Sequence, residues 1–161
     1  PRDATLTELD LSTPSCSPRI ALVARQFIRF IRDQLVKGAR DALRDHGLSD
    51  DSIDLFWVPG AFEIPLAADR VLASGQVDAV IALGAVIRGG TAHFDYVAGE
   101  CARGITDVSL KHAKPVIFGV LTTDTIEQAI ERAAINEGNK GFDCAMAALH
   151  MLGLIEQLEK R

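Results

Sequence analysis

From Ala79 to Val86 the chain reads AVIALGAV, a run of apolar residues with no polar interruption. The surrounding segment Val77–Ile87 therefore reads as a strand that is apolar on both faces. Such strands sit in the middle of parallel sheets, where helices cover both sides. The neighbouring segments fit that demand. Arg19–Ala24 (RIALVA) is a short apolar strand. Apolar or small residues at Ile31, Leu35, Gly38/Ala39 and Ala42 give helical spacing from Ile31 to His46, with Gly47 as the stop. Ile53–Val58 is a second strand closed by Pro59-Gly60. Pro65 suits the first turn of a helix running to Ser74, which Gly75 ends. A helix from Tyr96 to Lys111 follows the central strand, and Pro115–Leu121 is a fourth strand. Thr122–Asp124 offer N-caps for a helix through Ala134. Gly138–Gly141 breaks the chain before a last helix, Phe142 to Leu158.

The order β-α-β-α-β-α-β-α-α predicts an α/β fold with a parallel sheet. Ligands of such sheets bind beyond the carboxyl ends of the strands. Three segments fall there: Ala24–Phe27, Pro59–Glu63 and Ile87–His93. Trp57 and Phe118 are assigned to the core by strand position. Phe118, beside Gly119 near a strand end, is also placed to reach a ligand.

The chain has 161 residues and favours one domain, 19–161, preceded by an extended arm over residues 1–18 that has no periodicity. No apolar run approaches the roughly 18 residues needed to cross a bilayer. The first fifteen residues lack the basic start and apolar stretch of a signal peptide. A net charge of −5, with no basic stripe carrying aromatics, argues against nucleic acid. Cys16, Cys101 and Cys144 are odd in number and widely spaced, which predicts reduced thiols in a cytoplasmic protein and no metal centre.

The chemistry concentrates in IRGGTAHFDYV, Ile87–Val97, where the central strand empties into a Gly-Gly turn. Gly89, Gly90 and Thr91 supply backbone N–H groups and a hydroxyl that can cradle an anion, or form an ordinary turn. Neither a Walker loop nor a dinucleotide fingerprint is present. His93 can move protons near neutral pH. Glu63 opens a helix, where the dipole alone favours a carboxylate, and it can equally accept hydrogen bonds from a polyol. Arg132, with Gln128 one turn before it, is either part of a solvated face or a clamp on phosphate. Phe27, just past the first strand, is either core or a face for stacking a flat ring.

Four blocks in order, VPGAFEIP (Val58–Pro65), DAVIALGAVIRGGTAHFDYV (Asp78–Val97), FGVLTTDTIEQAIERA (Phe118–Ala133) and GNKG (Gly138–Gly141), resemble the lumazine synthase family. The resemblance runs from Arg19 to near the C-terminus. It implies a flavodoxin-like three-layer subunit with a four-stranded parallel sheet. It also implies homopentamers, some assembled into decamers or icosahedral shells, with active sites between subunits. The implied reaction joins 5-amino-6-(D-ribitylamino)uracil to 3,4-dihydroxy-2-butanone 4-phosphate, without cofactor or metal. By position, Phe27 matches the residue stacking on the pyrimidine. Ala61, Phe62 and Glu63 match the segment holding the ribityl chain, and Ala85, Val86 and Ile87 the strand end that pairs with the uracil edge. Gly90 and Thr91 match the phosphate loop, Arg132 the phosphate-binding arginine and His93 the proton-transfer residue. Phe118 and Lys140 match residues reaching in from a neighbouring subunit.

The chain departs from the family's usual pattern at several positions. Ile28 follows Phe27 where asparagine is usual, Gly99 stands where asparagine is usual, and Asp143 where glutamate is common. If Ile28, Ile31 and Leu35 face the core, Phe30 points roughly 130° away from them. An exposed Phe30 suggests an added protein contact through the first helix. These departures support a second reading, an assembly or carrier subunit with weak or no catalysis. A flavin-binding module is a third, and it does not account for His93 together with Arg132.

Overall fold

In the computed structural model, which describes residues 6–26, 28–89, 92–134 and 138–161, the segment Ala79–Ile87 (β3) lies inside a four-stranded parallel sheet. Its partners are Ile20–Arg25 (β1), Ile53–Val58 (β2) and Val116–Thr123 (β4), in the order β2-β1-β3-β4. Every pairing is parallel, with Ile20 opposite Ala79 and Val80 opposite Val116. Five helices connect and cover the strands among the described residues: Arg29–Asp45 (α1), Ile64–Ala73 (α2), His93–His112 (α3), Ile126–Ala133 (α4) and Lys140–Glu159 (α5).

The period of two along β1 and β3 sorts the core into two layers. Ile20, Leu22 and Ala24, with Ala79, Ile81, Leu83 and Ala85, face α1, α4 and α5, meeting Leu35, Ala129 and Leu149. Ala21 and Val23, with Val80, Ala82 and Val86, face α2 and α3, meeting Ile64, Leu72, Cys101 and Ile105. This is the double coverage that the apolar run demanded. The fold is the expected three-layer α/β arrangement. None of the described helices is long and apolar enough to cross a membrane.

Tertiary position alters several expectations. Trp57 is not core: β2 is an edge strand, and Leu55, Phe56 and Trp57 are each about two-fifths exposed. The Arg32 guanidinium stacks 4.8 Å from the Trp57 ring centroid instead. Ile28 precedes α1 and stays exposed rather than joining Ile31 and Leu35, whereas Phe30 is exposed as its helical angle implies. The cap of α4 is Thr125, not Thr122–Asp124. Its hydroxyl accepts from the Gln128 amide at 3.1 Å while the Gln128 side chain accepts from the backbone N–H groups of Asp124 and Thr125. Gln128 is thus committed to the cap and not to Arg132. Helix α3 starts three residues earlier than Tyr96, at His93, and α5 starts at Lys140.

Asn139 joins three helices. It caps α5 by accepting from the Phe142 amide at 3.0 Å, and its Nδ2 donates to Gln34 O and Ala133 O. Gly141 lets α5 press onto α1, because a Cβ there would collide with the Leu35 carbonyl oxygen. Ser12–Ser15 is tied to the far end of α5. The Ser15 amide and hydroxyl both donate to the Glu156 carboxylate, and Gln157 donates to the Ser12 hydroxyl.

Two predictions follow from these ends. Ala113 closes α3 at φ 53°, with the Lys114 amide bonding back to Ser109 O. A left-handed conformation costs an L-residue about 1 kcal/mol that glycine avoids. Ala113→Gly is expected to raise stability by about that amount in urea denaturation; a loss of stability would refute the strain argument. The donors from Ser15 and Lys160 hold the Glu156 carboxyl down at about 2. Its native bonds therefore favour folding fully above its ordinary value of 4.5, and that benefit is lost as pH falls toward about 2. The Ser15 amide resonance should shift across that window; a flat titration would contradict the tether.

Candidate active site

The strand order sets where a ligand can sit. Its neighbours β1 and β3 lead to partners on opposite sides, β2 and β4, so the crevice between their carboxyl ends is a topological switch point. The β1–β3 ladder stops at Ala24–Leu83, while β3–β4 pairing continues to Ile87–Thr123. Ala85, Val86 and Ile87 therefore extend past β1 along the crevice. The turn after β2 flanks it: Gly60 is extended, and Ala61–Glu63 makes a short turn of helix leading into α2. Ala61 is buried, while Phe62 and Glu63 are exposed. The Glu63 carboxylate folds over Gly60, with Oε1 2.7 Å from where a Cβ would stand, so a side chain at this position would displace the carboxylate.

A second hollow opens beside it between α3, β4 and α4. It has a volume of about 510 Å³, and its lining includes Arg88, Phe94, Phe118, Thr122, Gln128 and Arg132. The two arginines differ in charge balance. Arg88 Nε lies 3.0 Å from Asp124 and Nη2 3.6 Å from Asp95, and its guanidinium covers the Phe94 ring at 4.5 Å. Arg132 donates to the Thr122 carbonyl at 3.4 Å and makes no ion pair with any described carboxylate. An incoming anion meets a neutralised guanidinium at Arg88 and a positive one at Arg132. His93 is the first residue of α3 and is exposed, one position before the lining residue Phe94. The N-terminal end of a long helix adds positive potential there.

The chain thus brings Phe118 and Arg132 to one hollow and Glu63 with Ala85–Ile87 to the adjoining crevice. Lys140 and Asp143 do not join them. Lys140 opens α5, and Asp143 lines a separate cavity of about 250 Å³ with Gly38, Asp41 and Phe142. Phe27, Gly90 and Thr91 lie outside the described residues. Cys101 and Cys144 are buried; burial raises the Cys101 thiol to about 11 and the Cys144 thiol likewise upward, so neither supplies a thiolate at neutral pH. Among the described residues no cluster of His, Cys, Asp and Glu could hold a metal ion. Arg88 and Phe94 belong to the loop singled out in the sequence, yet nothing local marked their roles. The partner that neutralises Arg88, Asp124, is 36 residues away and becomes a neighbour only through β3–β4 pairing.

Fold and strand order together define a flavodoxin-like α/β protein whose sheet opens at a switch point at its carboxyl end. Residues 17–156 match the family model of 6,7-dimethyl-8-ribityllumazine synthase, and the chain belongs to that family. The family is a transferase family of riboflavin biosynthesis.

Proposed function

We propose that this chain condenses 5-amino-6-(D-ribitylamino)uracil with 3,4-dihydroxy-2-butanone 4-phosphate, forming 6,7-dimethyl-8-ribityllumazine and releasing phosphate and water. The observation that carries this reading is the Arg132 guanidinium. It has no described carboxylate partner and lines a hollow next to the His93 end of α3. Departing phosphate gains charge, and a guanidinium stabilises it. In this reading Gly90 and Thr91 complete the phosphate subsite, and His93 moves the protons of imine formation and ring closure. Phe27 stacks on the pyrimidine, Ala85–Ile87 pair with its edge, and Ala61, Phe62 and Glu63 hold the ribityl chain. Lys140 and Asp143, remote from this hollow, act in the site of a neighbouring copy.

Assembly into pentamers of this chain, or multiples of them, belongs to the same reading. The exposed apolar residues of β2, together with Leu66, Tyr96 and Leu110, support it, because a lone subunit leaves them in water. Holding two small substrates in register contributes up to about 7–11 kcal/mol. Acid–base catalysis at its usual 10²–10⁴-fold contributes about 3–5 kcal/mol. Positioning therefore outweighs proton transfer.

The test mixes both substrates with the protein and follows lumazine absorbance. Product forming faster than in buffer is expected. A rate equal to buffer would eliminate the synthase reading and leave the assembly or carrier subunit, which the exposed Ile28 and Phe30 favour.

A further inference from the structure

The crevice between β1 and β3 holds a charged side chain that the proposed reaction does not yet use. Arg25 is the last residue of β1 and is half-buried. Its stem crosses Gly84 on β3, where an added Cβ would stand 3.1 Å from Arg25 Cβ and 3.8 Å from Cδ. Its Nη1 donates to the Ala85 carbonyl. That contact lies just past the Ala24–Leu83 pair, where the β1–β3 ladder stops. Arg25 therefore takes over from the backbone at the point where the sheet opens. Burial pushes its guanidinium downward from its ordinary range, and the nearby Glu63 carboxylate opposes that shift. Arginine remains charged in proteins all the same. A half-buried cation thus stands bonded to the Ala85 strand end and within electrostatic reach of Glu63, two groups assigned to the ribityl-pyrimidine half of the site.

The placement has two physical consequences. The Ala85 carbonyl is engaged by protein, which fixes the direction of the peptide groups following it. Glu63 lies within electrostatic reach of this positive charge, which draws the carboxylate toward the crevice as a polyol acceptor. Neither consequence reaches the Arg132 hollow, whose lining includes neither Arg25 nor Glu63.

We propose that Arg25 is a positioning residue for the ribitylaminouracil substrate, setting the Ala85 strand end and the Glu63 carboxylate that bind it. This rests on the synthase reading given above. Arg25→Met keeps the stem over Gly84 and removes the charge and the donors. Arg25→Lys keeps the charge with a single ammonium head.

Three quantities are measured on the assembled full-length protein: the KM for each substrate, kcat, and binding of 6-(D-ribitylamino)uracil, which lacks the reacting amine, by calorimetry. The expected result for Arg25→Met is a KM for ribitylaminouracil raised about tenfold or more, the size of losing one charged hydrogen bond, and binding of the unreactive uracil weakened by a similar factor. The KM for the butanone phosphate and the melting temperature should stay near wild type, and Arg25→Lys should recover part of the loss. Equal rises in both KM values with a falling melting temperature would mean a merely structural role and overturn the proposal. So would unchanged binding of the uracil. If wild-type protein makes no lumazine, the synthase reading fails by itself. The calorimetric arm then still decides: weaker binding by Arg25→Met supports the role, and no binding by wild type refutes it.

Discussion

Arg132→Met is expected to lower kcat/KM for lumazine formation by about 10²- to 10³-fold, the range seen when one donor to a developing oxyanion is removed. Methionine keeps an unbranched apolar stem and removes only the planar cation. Arg132 is exposed in the last turn of α4, and its only hydrogen bond to a described residue is a long one to Thr122 O. The fold should scarcely register the change, because exposed substitutions of this kind stay within about 0.5 kcal/mol. Arg132→Lys should restore a fraction of the rate, since an ammonium supplies charge without the bidentate fork. His93→Ala should leave measurable turnover, because positioning of the substrates survives it. Steady-state kinetics in the butanone phosphate decides the matter. Wild-type kcat/KM in a correctly assembled Arg132→Met variant would remove the phosphate role of this residue. It would also shift attention to Arg88, whose two carboxylates would then have to let go.

Asn139→Ala is expected to cost about 3–5 kcal/mol, a large share of the roughly 5–15 kcal/mol by which domains of this size hold together. The side chain is 5% exposed and uses both of its ends. Alanine would strip the Gln34 and Ala133 carbonyls of a donor and the Phe142 amide of its cap. Leaving the Ala133 carbonyl unmet costs about 1–3 kcal/mol, the lost N-cap about 1, and the loss of a second donor to the Gln34 carbonyl, already bonded within α1, about 1. Asn139→Asp separates these parts. A carboxylate still caps α5 and suits the helix dipole, yet it cannot donate and would face two carbonyl oxygens. It should therefore destabilise despite the retained cap. Urea denaturation at fixed protein concentration measures both variants. A cost below about 1 kcal/mol for Asn139→Ala would mean that water replaces the side chain and that the three helices do not depend on it.

The main lines of the fold were legible because they depend on local pattern. An apolar run covered on both faces marks a central strand wherever it occurs, and Ala79–Ile87 is one. Gly47 and Gly75, at φ 93° and 74°, close α1 and α2 as read, because only the chain near them must turn. Element starts were less legible. His93 and Lys140 join their helices because first-turn residues need neither apolar character nor spacing, and the sequence signal is weakest there. Trp57 was misassigned for a different reason. An apolar strand at a sheet edge and one at its centre look alike until the strand order is known.

Candidate site residues were legible as types and as positions at strand ends. What they do electrostatically was not. Arg88 and Arg132 look equivalent as letters, and the difference between them lies in Asp95 and Asp124. One of those carboxylates arrives through the register of β3 against β4. Arg25 likewise gained meaning only when β1 was seen to end beside Gly84 and Ala85.

By itself the sequence determined a parallel α/β sheet with a central β3, the loops at its carboxyl edge and the residue types available there, because hydrophobic period and turn chemistry act over a few neighbours. The tertiary structure alone decided which strand is the edge, which arginine is neutralised and that Asn139 clasps three helices. Those outcomes depend on charges and carbonyls brought together from distant parts of the chain, and Coulomb and hydrogen-bond energies are set by distance in space.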